Sequence, residues 1–432
     1  MVDRFSDRGK VIRAIVIVAG VVFIIRLAML QIFNDKYKEL AERQALRNIT
    51  IYPARGLVYD RNGELLVYND VVYDLMVVPR SVHNLDTDYF CNAIGITRDE
   101  FVSNMERARA YSPYAPSPFM KLVSKEDYAR WENVLYKFDG FYVQNRTLRV
   151  YPKPVAAHVL GYVGEVDERE IAGNPQYQMG DYIGKSGIEK TYEDLLQGKK
   201  GHRVVRVDVH SREIGSYEGG RYDTMPVPGE NLYSTIDINL QEYAERLMRN
   251  KRGCVVAIEP STGEILALAS APAYDPNLLV GRVRGSNYLS MLQDISKPLY
   301  NRALQGQYPP GSIFKVAQAM IALDLGVIQP GTGFACDKSL VGCHNHPSAR
   351  SVQEAIKMSC NPYFYQVYRR VIQQGKYSSI YKDSQYGLTV WREYMLRMGF
   401  GRPLEIDLPN VKGGRIPDTA YYNSWYGSGR PL

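Results

Sequence analysis

From Val11 to Phe33 the chain is almost wholly apolar: Ala14 to Ile25 is uninterrupted, and Leu27 to Leu30 and Ile32-Phe33 extend the run. A helix of that length reaches across a bilayer, and Arg26 near one end can snorkel to the headgroups. No Ala-x-Ala site follows the run and no lipid-accepting cysteine is present, so residues 11–33 read as an uncleaved membrane anchor rather than a signal peptide. Residues 1–13 and the fifteen residues after Phe33 each carry four Lys or Arg, so charge does not set the orientation. Asn34 to Asn48 is polar, lacks Gly and Pro, and puts Tyr37, Leu40, Ala41, Ala45 and Leu46 on roughly one face, which predicts a helical stalk.

From Ile51 the pattern shortens to strand-like runs. Leu57-Val-Tyr59, Glu64 to Tyr68 and Val71 to Val78 are such runs, and Asn62-Gly63 between the first two is a hairpin signal. A helical insert is expected over Asp86 to Glu106. Strands are expected over Gly140 to Gln144, Thr147 to Tyr151, Leu160 to Val166 and His202 to Val209, ending near Pro226-Val-Pro-Gly229. A second domain then opens with Asn231 to Ile236, a helix from Leu240 to about Asn250, and a hairpin of Gly253 to Glu259 and Glu264 to Ala269 across Pro260-Ser-Thr-Gly263.

Composition adds bounds. The 432 residues, 45% hydrophobic and 23% charged, suit two or three ordinary globular domains. The +7 charge is spread along the chain, too diffuse to argue for nucleic acid. Five cysteines, Cys91, Cys254, Cys336, Cys343 and Cys360, form no dense framework, so the fold is not stapled by disulfides.

The candidate chemistry centres on Ser312-Ile-Phe-Lys315, behind Tyr308-Pro-Pro-Gly311 and ahead of an apolar run to Leu323. The prolines disfavour helix before them, so a helix begins at or just after Gly311 and presents Ser312 and Lys315 on one face. A serine becomes a nucleophile when a base takes its proton. A lysine serves as that base when burial and a helix N-terminus lower its pKa. The string Ser-x-x-Lys is common and recurs at Ser379-Ile-Tyr-Lys382, which lacks the Pro-Pro-Gly entry and reads as a solvated segment. Ser359-Cys-Asn361 offers a second hydroxyl and an amide pointing to one side. Cys336, Cys343, His344 and His346 fall on one loop between the two motifs; they are candidate zinc ligands, with a Cys336–Cys343 disulfide or unrelated side chains as the alternatives.

These residues resemble the class B penicillin-binding proteins, rod-elongation type. The likeness rests on Ser312 to Lys315, Ser359 to Asn361, Arg55 to Gly63, Gly184 to Lys190, Ala257 to Ile265 and Asn301-Arg302, with the anchor ahead of them. It implies a multi-domain α+β protein: a cytoplasmic tail at 1–10, a transmembrane anchor at 11–33, a strand-rich pedestal of the dimerisation type at 34–230, and a transpeptidase domain at 231–432. That last domain resembles serine β-lactamases, an antiparallel sheet with helices on both faces. The implied activity is D,D-transpeptidation of peptidoglycan stem peptides during cell elongation, at the periplasmic face of the inner membrane. Ser312 would be the acylated nucleophile, Lys315 the base, Ser359 the proton relay and Asn361 the substrate clasp; β-lactams would acylate the same serine. The implied partners are the lipid bilayer and a membrane glycosyltransferase, with no required cofactor.

One motif of the family departs from the pattern. A Lys-Thr-Gly or Lys-Ser-Gly should follow Ser359-Cys-Asn361, yet the chain stops at Leu432 without it, and Lys185-Ser-Gly187 lies in the pedestal. The 432-residue chain is therefore expected to be incomplete and inactive, and stoichiometric labelling by a fluorescent penicillin would overturn that. The alternative reading is a scaffold whose anchor and pedestal activate a glycosyltransferase without catalysis.

Overall fold

The computed structural model describes residues 4–32, 46–207 and 213–427, with only the backbone described at 4–8, 28 and 30–32. Arg4–Ile32 is one helix of 29 residues. Among the described residues no helix is long and apolar enough to cross a membrane. Residues 34–45 of the expected stalk lie outside the described residues, and Leu46 to Asn48 open a strand instead of prolonging a helix.

That strand, β1 (Leu46–Ile51), pairs antiparallel with β8 (Gly201–Val207), which pairs in turn with β9 (Glu213–Ser216). The end of the expected run at Asp208-Val209 lies outside the described residues. The larger pedestal sheet is built on β3 (Leu65–Val77), flanked by β2 (Val58–Tyr59), β4 (Ser117–Val123) and β5 (Phe141–Val150). The runs 64–68 and 71–78 are thus one strand, and so are 140–144 and 147–151. The polar residues Asn69-Asp70 between the first two stay in the ladder because β5 supplies their backbone partners, Arg149 and Leu148. The Asn62-Gly63 turn joins β2 to β3 with Gly63 at φ 84°, where a side chain would be strained.

The helical insert is two helices, Thr87–Ile94 and Arg98–Tyr111. Gly95 at φ 80° ends the first, and Thr97 with Glu100 caps the second in a reciprocal box. They pack Phe90, Phe101 and Met105 against Leu75, Phe119 and Phe141 of the sheet.

Two distant sequence motifs meet at one buried carboxylate. Glu189, fully buried, lies 2.7 Å from Arg55 Nε and 2.6 Å from the Arg149 guanidinium, while Arg55 also reaches Glu193 at 2.6 Å. Gly56 beside Arg55 sits so close to the chain that an added Cβ would stand 1.9 Å from the Glu230 carbonyl oxygen.

The pedestal and the following part interlock. β10 (Leu232–Tyr233) pairs parallel with β2. Asp60 of the β2–β3 turn accepts from the backbone N–H groups of Asn62 and Glu64 at 2.7 Å and reaches that of Ile238 at 3.4 Å. Ile238 opens the helix Ile238–Leu247, whose Gln241 bonds both ways with the backbone of Leu268. β11 (Gly253–Ile258) and β12 (Ile265–Ala271) form the expected antiparallel hairpin, and these two strands are the only sheet of this part among the described residues. The rest is helical, a core of Ile321, Ala322, Val367, Val371, Leu388 and Met395 drawn from the helices Phe314–Asp324, Asn361–Ile372 and Ile380–Arg397.

Candidate active site

Helix formation at the serine begins at Gly311. A single tight turn, Gly311–Ile313, runs directly into the helix Phe314–Asp324, so Ser312 precedes the first regular turn and Lys315 lies within it. Gly311 has φ 62°, a conformation that suits glycine and lets the chain leave Pro309-Pro310 into the turn. The face behind the pair, Ala319, Ile321 and Ala322, is buried in the helical core and fixes the orientation.

Ser359 and Asn361 arrive from the other side. The helix Val352–Lys357 stops, Ser359 takes φ 51°, and Asn361 begins the next helix with Pro362 behind it. A left-handed conformation at a serine is costly, of the kind held in place at functional sites. It turns the Ser359 side chain toward Ser312: Ser359 Oγ donates to Ser312 Oγ at 2.9 Å. Lys315 Nζ donates to Ser359 Oγ at 2.9 Å, to the Ser359 carbonyl at 2.6 Å and to Asn361 Oδ1 at 2.7 Å. Ser312 lies in the tight turn and Lys315 in the helix that follows it, and among the described residues no hydrogen bond joins them. The serine is linked to the lysine through Ser359.

Desolvation is the main influence on Lys315 and lowers its pKa, while Cys343 and Cys360 nearby oppose the shift. Its ammonium also lies 5.8 Å from the ring centre of Phe364. Ser312 itself is exposed. The arrangement can pass a proton from an exposed hydroxyl, across a second hydroxyl, to a lysine biased toward its neutral form. Ser379 and Lys382, the second copy of the string, bracket the start of the helix Ile380–Arg397 away from these groups, with Lys382 exposed.

The cysteine loop closes against the same site. Asn361 Nδ2 donates to the Gly342 carbonyl at 2.8 Å, and the Asn361 backbone N–H points at Cys343 Sγ at 3.4 Å. Ligand atoms of Cys336, Cys343, His346 and Cys360 lie within 4.8 Å of one another. His344 is outside this group, and its ring lies tilted against that of His346 with centroids 4.9 Å apart. Cys360 stands in the group where the sequence suggested His344. Sequence proximity favoured His344, whereas the fold carries Cys360 back to the loop from the start of the Asn361 helix. All five cysteines are free thiols, so no Cys336–Cys343 disulfide is present.

Burial alone would push the Cys343 thiol up, but the Asn361 N–H and His346 outweigh it and bring it down to about 7. Burial and the neighbouring thiols push Cys336 up to about 11. His346 Nδ1 lies 2.6 Å from the Pro347 carbonyl, which fixes that nitrogen as the donor and leaves Nε2, 3.1 Å from Cys343 Sγ, facing the sulfurs. Three thiols and an imidazole so oriented are a donor set that fits structural zinc.

Comparison with known proteins bears on this site directly. Residues 50–234 match the Penicillin-binding Protein dimerisation domain, and residues 253–429 match the Penicillin binding protein transpeptidase domain. The chain is 34% identical to the peptidoglycan D,D-transpeptidase MrdA of Acinetobacter baumannii over 96% of its own length and 62% of that protein's. It is 31% identical to the MrdA of Salmonella typhimurium over 98% of its length and 69% of the relative. The chain belongs to the penicillin-binding protein family. A solved penicillin-binding protein of Helicobacter pylori, PBP2 in complex with MreC, matches the family fold here with a TM-score of 0.69 at 26% identity, covering 89% of this chain and 71% of that one. Family membership accounts for the two-part α/β architecture. The serine, lysine, second serine and asparagine described above all fall inside the matched transpeptidase domain.

Proposed function

We propose that the chain carries the acylation centre of a serine-type D,D-transpeptidase that cross-links peptidoglycan stem peptides during cell elongation. The observation that carries this reading is the relay from Ser312 through Ser359 to Lys315, with 2.9 Å at each step. In the reaction, neutral Lys315 takes a proton from Ser359 as Ser359 takes one from Ser312. The Ser312 oxygen then bonds to the carbonyl carbon of the penultimate D-Ala. The C–N bond breaks, and the terminal D-Ala leaves with a proton returned along the relay. An amine of a neighbouring stem attacks the resulting ester, releases the cross-linked product and restores Ser312. Asn361 fixes Lys315 through Oδ1, and in this reading it also holds the substrate amide. A β-lactam amide follows the same acylation step. No observation favours the non-catalytic scaffold.

The same reading puts residues 11–33 in the inner membrane and the main domains in the periplasm. It is supported by side chains exposed all round the first helix, Val11 at 59%, Ile17 at 65%, Phe23 at 70% and Ile24 at 68%. MreC, named with the Helicobacter pylori neighbour, and a membrane glycosyltransferase are the partners it suggests. It also assigns structural zinc to Cys336, Cys343, His346 and Cys360, where the metal would pin the loop of Gly342 against Asn361.

Labelling the native protein in membranes with a fluorescent penicillin tests the activity. The wild type is expected to take up label and S312A to take up none; equal labelling of the two would defeat the proposal.

A further inference from the structure

The helix Ile380–Arg397 holds no member of the serine relay, yet its Trp391 stands against both helices that do. The indole is buried, 6% exposed, and meets two rings edge-on: Phe314 at 6.3 Å between centroids and 69° between planes, and Tyr368 at 5.9 Å and 82°. Phe314 lies between Ser312 and Lys315 at the start of the helix Phe314–Asp324, and Tyr368 lies about two turns beyond Asn361 in the helix Asn361–Ile372. One side chain therefore packs on the first motif and on the helix of the second.

Packing is joined by a directional bond. Trp391 Nε1 donates to Gln318 Oε1 at 2.9 Å, one helical turn after Lys315. Gln318 is 4% exposed, and its buried Nε2 has no hydrogen-bond partner among the described residues. A half-satisfied buried amide weakens a core that apolar side chains of the same shape would fill without that cost, so stability alone does not call for a glutamine here. What the bond supplies is orientation. With Tyr394 Oη donating to Asp324 Oδ2 at 2.5 Å at the far end, the serine helix is held at two points against rotation and sliding.

The relay depends on that register. Lys315 Nζ crosses from one helix to the other to reach Ser359 Oγ at 2.9 Å and Asn361 Oδ1 at 2.7 Å. A misplacement of about 1 Å caused by a change remote from the chemistry can cost on the order of 10²-fold in rate. We propose that Trp391 is a positioning residue for acylation: through Gln318 and Phe314 on one side and Tyr368 on the other, it holds Lys315 in register with Ser359 and Asn361. This inference rests on the acylation reading of Ser312 and extends it to a helix outside the relay.

Stopped-flow acylation of the native protein by a chromogenic cephalosporin tests this, because its concentration dependence separates non-covalent binding from the first-order acylation step. W391F keeps a ring against Phe314 and Tyr368 but has no N–H to donate. Its acylation step is expected to slow by about tenfold or more, with binding changed by less than about threefold. W391F/Q318M replaces both partners of the bond by apolar groups; its melting temperature is expected to return toward the wild-type value while acylation stays slow. A merely structural role would restore the rate together with the melting temperature. Where W391F does not fold, Q318M, which leaves the indole in place, carries the same expectation. The inference is overturned if the single variants acylate within about threefold of the wild type, if the loss falls on binding instead of the acylation step, or if the double variant acylates like the wild type. A wild type that is not acylated at all overturns the acylation reading as well, whereas a wild type that acylates beside unaffected variants overturns this inference alone.

Discussion

Ser359 Oγ donates to Ser312 Oγ at 2.9 Å and accepts from Lys315 Nζ at the same distance, so Lys315 is linked to Ser312 through a second hydroxyl. S359A breaks that path while leaving Ser312 and Lys315 in place. Acylation by a β-lactam should slow by about 10²–10⁴-fold, the usual worth of a positioned proton-transfer group. Stopped-flow measurement of acylation checks it, and a loss under threefold would mean that Lys315 takes the proton directly.

Lys315 sets the pH dependence. Desolvation lowers its pKa, so the neutral base forms at a lower pH than for an exposed lysine. Acylation should rise with pH through that depressed value and reach its plateau below the ordinary lysine range near 10.5. K315R, which keeps the charge, should remove this rise together with most of the rate. A pH–rate profile whose limb sits at 10.5 or above would contradict the assignment.

Metal content separates the two ligand sets. C360S and H346A should lose the bound zinc measured by elemental analysis, and H344A should keep it. Chelation of the wild type should lower the melting temperature, since the loop of Gly342 is pinned to Asn361 on the metal side. Full zinc retention in C360S with loss in H344A would restore the set suggested by sequence proximity.

Glu189 is the pedestal's electrostatic keystone. Its burial works to raise the pKa, but Arg149 and Arg55 outweigh that and leave it below 4.5. The contribution to stability is therefore fully present above 4.5 and fades as pH falls through the lower folded value. E189Q leaves two buried guanidinium groups short of a charge and should cost about 3–5 kcal/mol in urea unfolding. A cost below 1 kcal/mol would show the network to be dispensable.

How much of this was legible in the chain differs from element to element. The start of the serine helix followed from Pro309-Pro310-Gly311, because proline and glycine act locally and their effect does not depend on distant packing. The hairpin at 253–269 was legible for the same reason. The runs on either side of Asn69-Asp70 are one strand only because pairing with β5, far along the chain, holds those polar residues in the ladder. Likewise, no local pattern reveals that Cys360 folds back to Cys336 and Cys343, or that Ser359 rather than Lys315 touches Ser312. A cysteine between Ser359 and Asn361, with two others on a nearby loop, was the available signal for the first of these. The second needed the left-handed turn at Ser359, which no residue type announces.

The central claim is that Ser312 becomes acylated through this relay. Peptide mass mapping of the native protein after incubation with penicillin tests it most directly. One penicilloyl group should appear on the peptide holding Ser312, and none should appear in S312A. An adduct on any other residue, or none on the wild type, would contradict the account.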